Sequence, residues 1–223
     1  MGITSEDLTL HHPCLYHMAE AGSWPSVSQH GLLSTSALLD LYGVGGEDRR
    51  RIERCLRSES VPILHDEYGR AVIRDQKPMS ERALRKCLTG MTPTEWYRLL
   101  NSKVFFWLTA ERVTRLLSAR AYRNREHTVL TIDTARLLKR HQAEVTLSPI
   151  NSGSTVYRPQ PRGPETFQSL ADYPFDAWRK KRGAATNAVA ELAVTHGVRD
   201  IRDMVIRVER RRESRILEVI YER

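Results

Sequence analysis

The chain has 223 residues, of which 40% are hydrophobic and 28% charged, with a formal net charge of +8. These proportions exclude a disordered tail, and the length suits one domain over residues 1–223 with apolar mass enough for a core. An excess of positive charge at this level favours polyanions as partners, although a solvated basic face has the same composition.

Cysteine usage points to a reducing compartment. Cys14, Cys55 and Cys87 are an odd, widely spaced set with no CxxC pair, so free thiols in a cytoplasmic protein are expected. No stretch is long and apolar enough to span a bilayer. No basic segment followed by an apolar run stands at the N-terminus, so neither a secretory leader nor a membrane partner is expected.

In chain order, residues 15–18 read as a strand. Residues 24–30 read as a helix, with Ser23 as its cap, Pro25 in its first turn and Gly31 at its end. Helices are expected over 36–42 and 48–56, the second turning Ile52, Cys55 and Leu56 inward. A hairpin centres on residues 67–70. Residues 80–88 and 92–101 read as helices, the latter opened by Thr92-Pro93-Thr94-Glu95, which combines a cap, a first-turn proline and an early acid. Residues 104–109 are an apolar run of high strand propensity, followed by an amphipathic helix over 110–121. Residues 127–133 alternate as a strand, 134–140 form a short helix and 145–149 another strand. The Pro-, Gly- and Arg-rich stretch 158–173 reads as a mobile or substrate-facing excursion. A helix over 175–182 and strands over 188–195, 204–208 and 216–221 complete the chain. Strands gathered late and helices inserted early fit α+β architecture better than a doubly wound sheet.

Several residues stand out chemically. Glu191 lies in the apolar run Ala188-Val189-Ala190-Glu191-Leu192-Ala193-Val194. A carboxylate there faces solvent, pairs with an arginine, or serves a reaction, since unpaired burial is costly. His17 is open to a core role beside Tyr16 or to ligand binding. Ser34, Thr35 and Ser36, after His30-Gly31, either line a pocket or cap the next helix. Asn151, Ser152 and Ser154 form a polar loop that reads as a connecting turn or as a surface for base edges. Arg158, Arg162, Arg179, Lys180, Lys181 and Arg182 make this half basic, which suits phosphate contacts. Arg210, Arg211 and Arg212 read as a solvated hairpin end. Gly43-Val44-Gly45-Gly46 lacks the Lys-Ser/Thr of a phosphate-binding loop. His11 and His12 show no metal-ligand spacing, and no metal is expected.

The segments Leu15-Tyr16-His17-Met18, His30-Gly31-Leu32-Leu33 and, late in the chain, Asn187 to Ile201 around Glu191, taken in this order, resemble the ADP-ribosyltransferase superfamily. Within it the similarity is to the DarT-like branch, which modifies nucleic acid. The resemblance implies an α+β fold with a split central β-sheet and flanking and inserted helices. It implies NAD as co-substrate, Glu191 as the catalytic carboxylate and His17 on the adenosine ribose. Tyr16, Gly31, Ser34 and Thr35 would line the nucleotide pocket. Arg74 would meet the pyrophosphate, taken ahead of Lys77, Lys103 and Arg112. Trp107 is open to stacking on nicotinamide or to filling the core. Asn151, Ser152, Ser154 and Arg158 would select the acceptor, a nucleic-acid base. A toxin or defence role, with an antitoxin or immunity protein as partner, follows from the same likeness. The rivals are a tRNA 2′-phosphotransferase-like enzyme, against which the lone Glu191 argues, and a non-catalytic basic nucleic-acid-binding protein.

Overall fold

The computed structural model describes residues 2–223. α1 (Ser5–His11) leads into β1 (Cys14–Glu20), and then come α2 (Trp24–His30), the short β2 (Leu32–Leu33), α3 (Thr35–Leu41) and α4 (Gly46–Arg54). β3 (Val61–His65) and β4 (Gly69–Ile73) form a hairpin ahead of α5 (Glu81–Cys87) and α6 (Pro93–Asn101). β5 (Lys103–Trp107), α7 (Ala110–Leu117), β6 (His127–Asp133), α8 (Thr134–His141) and β7 (Val145–Ser148) follow. The last elements are α9 (Phe175–Arg182), α10 (Ala185–Ala188), β8 (Glu191–Thr195), β9 (Gly197–Val198), β10 (Val205–Arg212) and β11 (Arg215–Glu222). The architecture is α+β.

Local chemistry explains most boundaries. Thr92 and Glu95 close a reciprocal capping box on α6, with Pro93 in its first turn. The Ser34 hydroxyl accepts the Ala37 N–H at 3.2 Å and starts α3. α2 begins and ends where the sequence indicates, but Ser23 makes no capping bond, and its hydroxyl is buried without a partner. Gly31 closes α2 at φ 92°, and a Cβ there would lie 2.5 Å from the Arg199 Cα.

Seven strands form one antiparallel sheet in the order β11-β10-β6-β1-β5-β8-β7. β1 pairs along its whole length with β6, from Cys14↔Asp133 to Glu20↔His127. Its other edge meets β5 at a single register pair, Tyr16↔Trp107. One face carries the main core, including Leu15, Phe106, Leu130, Ile132, Leu192 and Val194. On the other face Met18 and Val129 pack with Val113 and Leu117 of α7. The α3–α4 region and the β3–β4 hairpin share a separate core of Leu39, Tyr42, Ile52, Ile63 and Ile73.

Four expectations are corrected. α4 stops at Arg54; Ile52 is buried and Leu56, beyond the helix, packs half-buried against the cluster around Leu84 and Trp96, but Cys55 is exposed. α7 ends at Leu117 rather than 121, and the chain then turns to bury Tyr122, whose hydroxyl donates to Asp75 at 3.0 Å. The strand at 188–195 begins only at Glu191, because Ala185–Ala188, rich in the best helix former, is a turn of helix. Residues 158–173 are not a free excursion. Leu147 and Gln168 exchange backbone hydrogen bonds at 2.8 and 3.1 Å, and Arg162, Thr166, Leu170 and Tyr173 are buried. The tip from Val156 to Pro161 is exposed throughout. α1 and the two-residue strands β2 and β9 have no counterpart among the expected elements.

Candidate active site at the open seam

The site forms where β1 parts from β5. Register partners run in one line across four strands, Tyr16↔Trp107↔Glu191↔Ser148, and directly opposed side chains in a sheet project to the same face. Beside that line a cavity of about 510 Å3 opens, lined by His17, Gly31, Ser34, Thr35, Arg74, Trp107, Asn151, Ser152 and Glu191. Its volume is in the range of small-molecule and cofactor sites. β2 and β9 hold one wall: Leu32↔Val198 and Leu33↔Gly197 join the turn after α2 to the chain just beyond β8.

Glu191 is 4% exposed. Its Oε2 accepts the Ser152 N–H at 3.0 Å and the Ser152 hydroxyl at 2.6 Å. Burial raises its pKa to about 7, against the pull of the Ser152 hydrogen bonds and of Arg112 and Arg162. The neutral and ionised forms are therefore both populated near neutrality. The Ser152 carbonyl accepts from Arg162 Nη1 at 2.9 Å, so the carboxylate, the loop and a buried guanidinium form one chain of contacts. The loop itself is clamped, with Thr155 N–H donating to the Pro78 carbonyl at 3.0 Å and Ser80 N–H to the Thr155 hydroxyl at 2.7 Å.

His17 is half-buried, with its Nδ1 2.8 Å from the Phe105 carbonyl. A carbonyl only accepts, so Nδ1 carries the proton. Burial lowers the His17 pKa to about 4, with Arg74 adding to the effect. The ring is neutral at physiological pH, and Nε2 is left as an acceptor for a hydroxyl.

Three cations line the cavity without a salt bridge to its carboxylates, Glu20, Asp75 and Glu191. Arg74 donates to the Met18 carbonyl at 3.0 Å and lies 4.8 Å from the Tyr122 ring centre. Arg57, 8% exposed, donates to the backbone carbonyls of Ile52 and Arg74. Lys103, also 8% exposed, donates to the Thr195 and Thr146 hydroxyls at 3.1 and 3.4 Å. Burial is the chief cause of a lowered pKa in all three, to about 10 for Arg57. Among the described residues none of them forms an ion pair. Buried, unpaired cations around a void favour an anionic ligand there.

Not every residue singled out in the sequence meets at this cavity. Tyr16 lies outside its lining and packs with the α7 cluster. Ser152 is 1% exposed and spends its hydroxyl on Glu191. Ser154 and Arg158 line a second cavity of about 660 Å3 on the other side of the loop, and Asn151 lines both. Arg57 was missed, since an arginine amid a charged helix end carries no sequence signal that it will be buried. The tie from Arg162 to Ser152 was equally invisible.

Residues 13–205 match a family described as "Family of unknown function (DUF7002)", and the chain belongs to that family. No curated protein matches the chain. No described helix is long and apolar enough to cross a membrane.

Proposed function

We propose that the protein is an NAD-dependent ADP-ribosyltransferase with an ADP-ribosyltransferase-like fold, of the DarT-like kind, whose acceptor is a nucleic-acid base. One observation carries the reading: Glu191 and His17, from opposite ends of the chain, line a single cavity at the open seam of the sheet. Neutral His17 supplies an acceptor for a ribose hydroxyl. Arg74, with Arg57 and Lys103 nearby, offers positive charge to the pyrophosphate. The Trp107 ring offers a surface to the nicotinamide.

The chemistry follows from the carboxylate. The bond between the ribose C1 and the nicotinamide nitrogen breaks, and its electron pair leaves with neutral nicotinamide. Positive charge develops on the ribose, as in glycoside cleavage. Ionised Glu191, fixed by Ser152, stabilises that charge at no cost of reorganisation. The acceptor nitrogen then bonds to C1, and its proton passes to the carboxylate.

The test is NAD itself. At about a hundredfold excess over the dissociation constant, NAD should stabilise the protein by roughly 2.7 kcal/mol, and label from the adenine half of NAD should transfer to DNA or RNA and not to protein. No thermal shift with saturating NAD ends the transferase reading. Tight nucleic-acid binding without NAD turnover would favour a non-catalytic basic binder instead.

A further inference from the structure

We infer that Tyr122, buried behind the cavity at the open seam, is a positioning residue that keeps the Arg74 guanidinium free for a phosphate-bearing anion. That the anion is the pyrophosphate of NAD rests on the transferase reading; the role of Tyr122 does not.

Arg74 has acids close by and pairs with none. Asp75 is its chain neighbour, and Arg74, Asp75 and Glu20 all line the cavity. Burial lowers the pKa of Arg74, and Tyr122, Asp75 and Glu20 pull the other way, so both carboxylates are within electrostatic reach. Yet among the described residues neither forms a salt bridge with Arg74. An arginine with two acids in reach ordinarily takes one of them in a forked ion pair.

One loop, between α7 and β6, occupies both acids. Tyr122 donates its hydroxyl to Asp75 Oδ1 at 3.0 Å, and Arg125, three residues on, pairs with Glu20 at 2.9 Å. The Ser60 hydroxyl at 3.3 Å and the Lys77 N–H at 3.2 Å complete the surroundings of the Asp75 carboxylate. Tyr122 is 4% exposed. Burial first, and then Asp75, pushes its pKa up to about 12, so the hydroxyl keeps the proton that it donates. The loop is itself fixed: the Tyr122 N–H donates to the Ala119 carbonyl at 2.8 Å, and His127 Nε2 donates to the Tyr122 carbonyl at 3.1 Å.

The ring of Tyr122 acts on Arg74 directly. The Arg74 Cζ lies over it, 4.8 Å from the ring centre. A guanidinium set over an aromatic face keeps the N–H groups at its own edge available. Among the described residues the Arg74 guanidinium spends one of them, Nη1, on the Met18 carbonyl at 3.0 Å. The others are left to the cavity. Ring and hydroxyl thus have separate tasks: the ring supports the guanidinium, and the hydroxyl withholds the carboxylate that would neutralise it. Removing the hydroxyl alone frees Asp75 to compete. An arginine paired for about nine-tenths of the time binds an outside anion about tenfold more weakly.

The experiment titrates inorganic pyrophosphate into the full chain by calorimetry, at constant ionic strength. Four proteins are compared: wild type, Tyr122→Phe, Asp75→Asn and the double variant. Tyr122→Phe keeps the ring and should weaken binding by about tenfold. Adding Asp75→Asn to it removes the competing charge and should restore the wild-type affinity. Asp75→Asn alone should bind no more weakly than wild type. Melting temperatures are measured on the same samples. Both variants that lack the hydroxyl lose its hydrogen bond, so binding should recover in the double variant while the melting temperature does not. Undiminished binding by Tyr122→Phe overturns the role, as does affinity that fails to return in the double variant, or wild type that does not bind pyrophosphate. The two readings fail separately. If NAD gives no thermal shift while pyrophosphate binding follows this pattern, the transferase reading falls and the role of Tyr122 stands. If NAD binds and Tyr122→Phe takes both NAD and pyrophosphate as wild type does, the role of Tyr122 falls alone.

Discussion

The two edges of β1 differ sharply. Toward β6 every residue from Cys14 to Glu20 has a register partner. Toward β5 only Tyr16 does, and on either side of that pair an imidazole substitutes for the ladder. His17 Nδ1 donates to the Phe105 carbonyl at 2.8 Å, and His12 Nδ1 to the Leu108 carbonyl at 3.0 Å. A sheet can thus be opened for a ligand without stranding these carbonyls, provided the histidines that serve them stay neutral. Burial does that, lowering both pKa values to about 4. The closed seam carries stability; the open seam supplies an acceptor nitrogen, a ring and a carboxylate.

The largest expected effect tests whether the open seam does chemistry at all. Glu191→Gln keeps the shape of the side chain but removes the charge that, on the transferase reading, stabilises the developing cation, and the loss should be on the order of a hundredfold to a thousandfold in turnover. The NAD dissociation constant should barely move, since the interaction strengthens in the transition state. Full activity in this variant would make Glu191 merely a buried strand residue. Lower melting temperature with proportionate loss of activity would make it structural.

The second test bears on the histidines. A buried histidine with a lowered pKa contributes stability above the unfolded pKa, and that contribution is lost as pH falls. For His12 the window runs from 6.5 down to about 4, and the loss is at most about 3 kcal/mol. His12→Asn retains a donor but cannot titrate. Its melting temperature, measured across that window, should fall less steeply with acid than that of wild type. Parallel curves would show that the seam does not depend on a neutral imidazole at this position.

The smallest effect is the pH response of transfer. With the Glu191 pKa near 7, its carboxylate is a minority species below neutrality, and on the transferase reading turnover should fall about tenfold per pH unit there and level off above. The stability term has the opposite sign: a raised carboxyl pKa adds stability below 4.5 that is lost as pH rises through about 7. Glu191→Gln should remove both dependences together. A turnover profile flat from pH 5 to 8 in wild type would separate Glu191 from the rate-determining chemistry.

Much of the framework was legible because its signals are local. The helix over Trp24–His30, the capping box of α6 and the hairpin at β3–β4 each depend on residues within a turn or a strand of one another. That His17 and Glu191 line one cavity was not legible from their spacing in the sequence. Where reasoning failed, the deciding contact was distant in sequence. Residues 158–173 have the composition of a loop, yet Gln168 pairs with Leu147 and Arg162 sits under the Ser152 carbonyl. Ser152 has the composition of a turn, yet its hydroxyl is used 39 residues away on Glu191.

By itself the sequence determined where α2 and α6 start and stop, where the β3–β4 hairpin turns, and that positive charge exceeds negative. These follow from caps, glycine, proline and period, which act over a few residues. Tertiary structure alone decided that β1 parts from β5, that Glu191 is buried while still hydrogen-bonded, and that Arg57, Arg74 and Lys103 line one void without a salt bridge. It also decided which arginines pair with acids, as Arg49, Arg140 and Arg207 do. Desolvation and pairing are properties of neighbours in space, and the neighbours of Glu191 come from β5, β7 and the loop that carries Ser152.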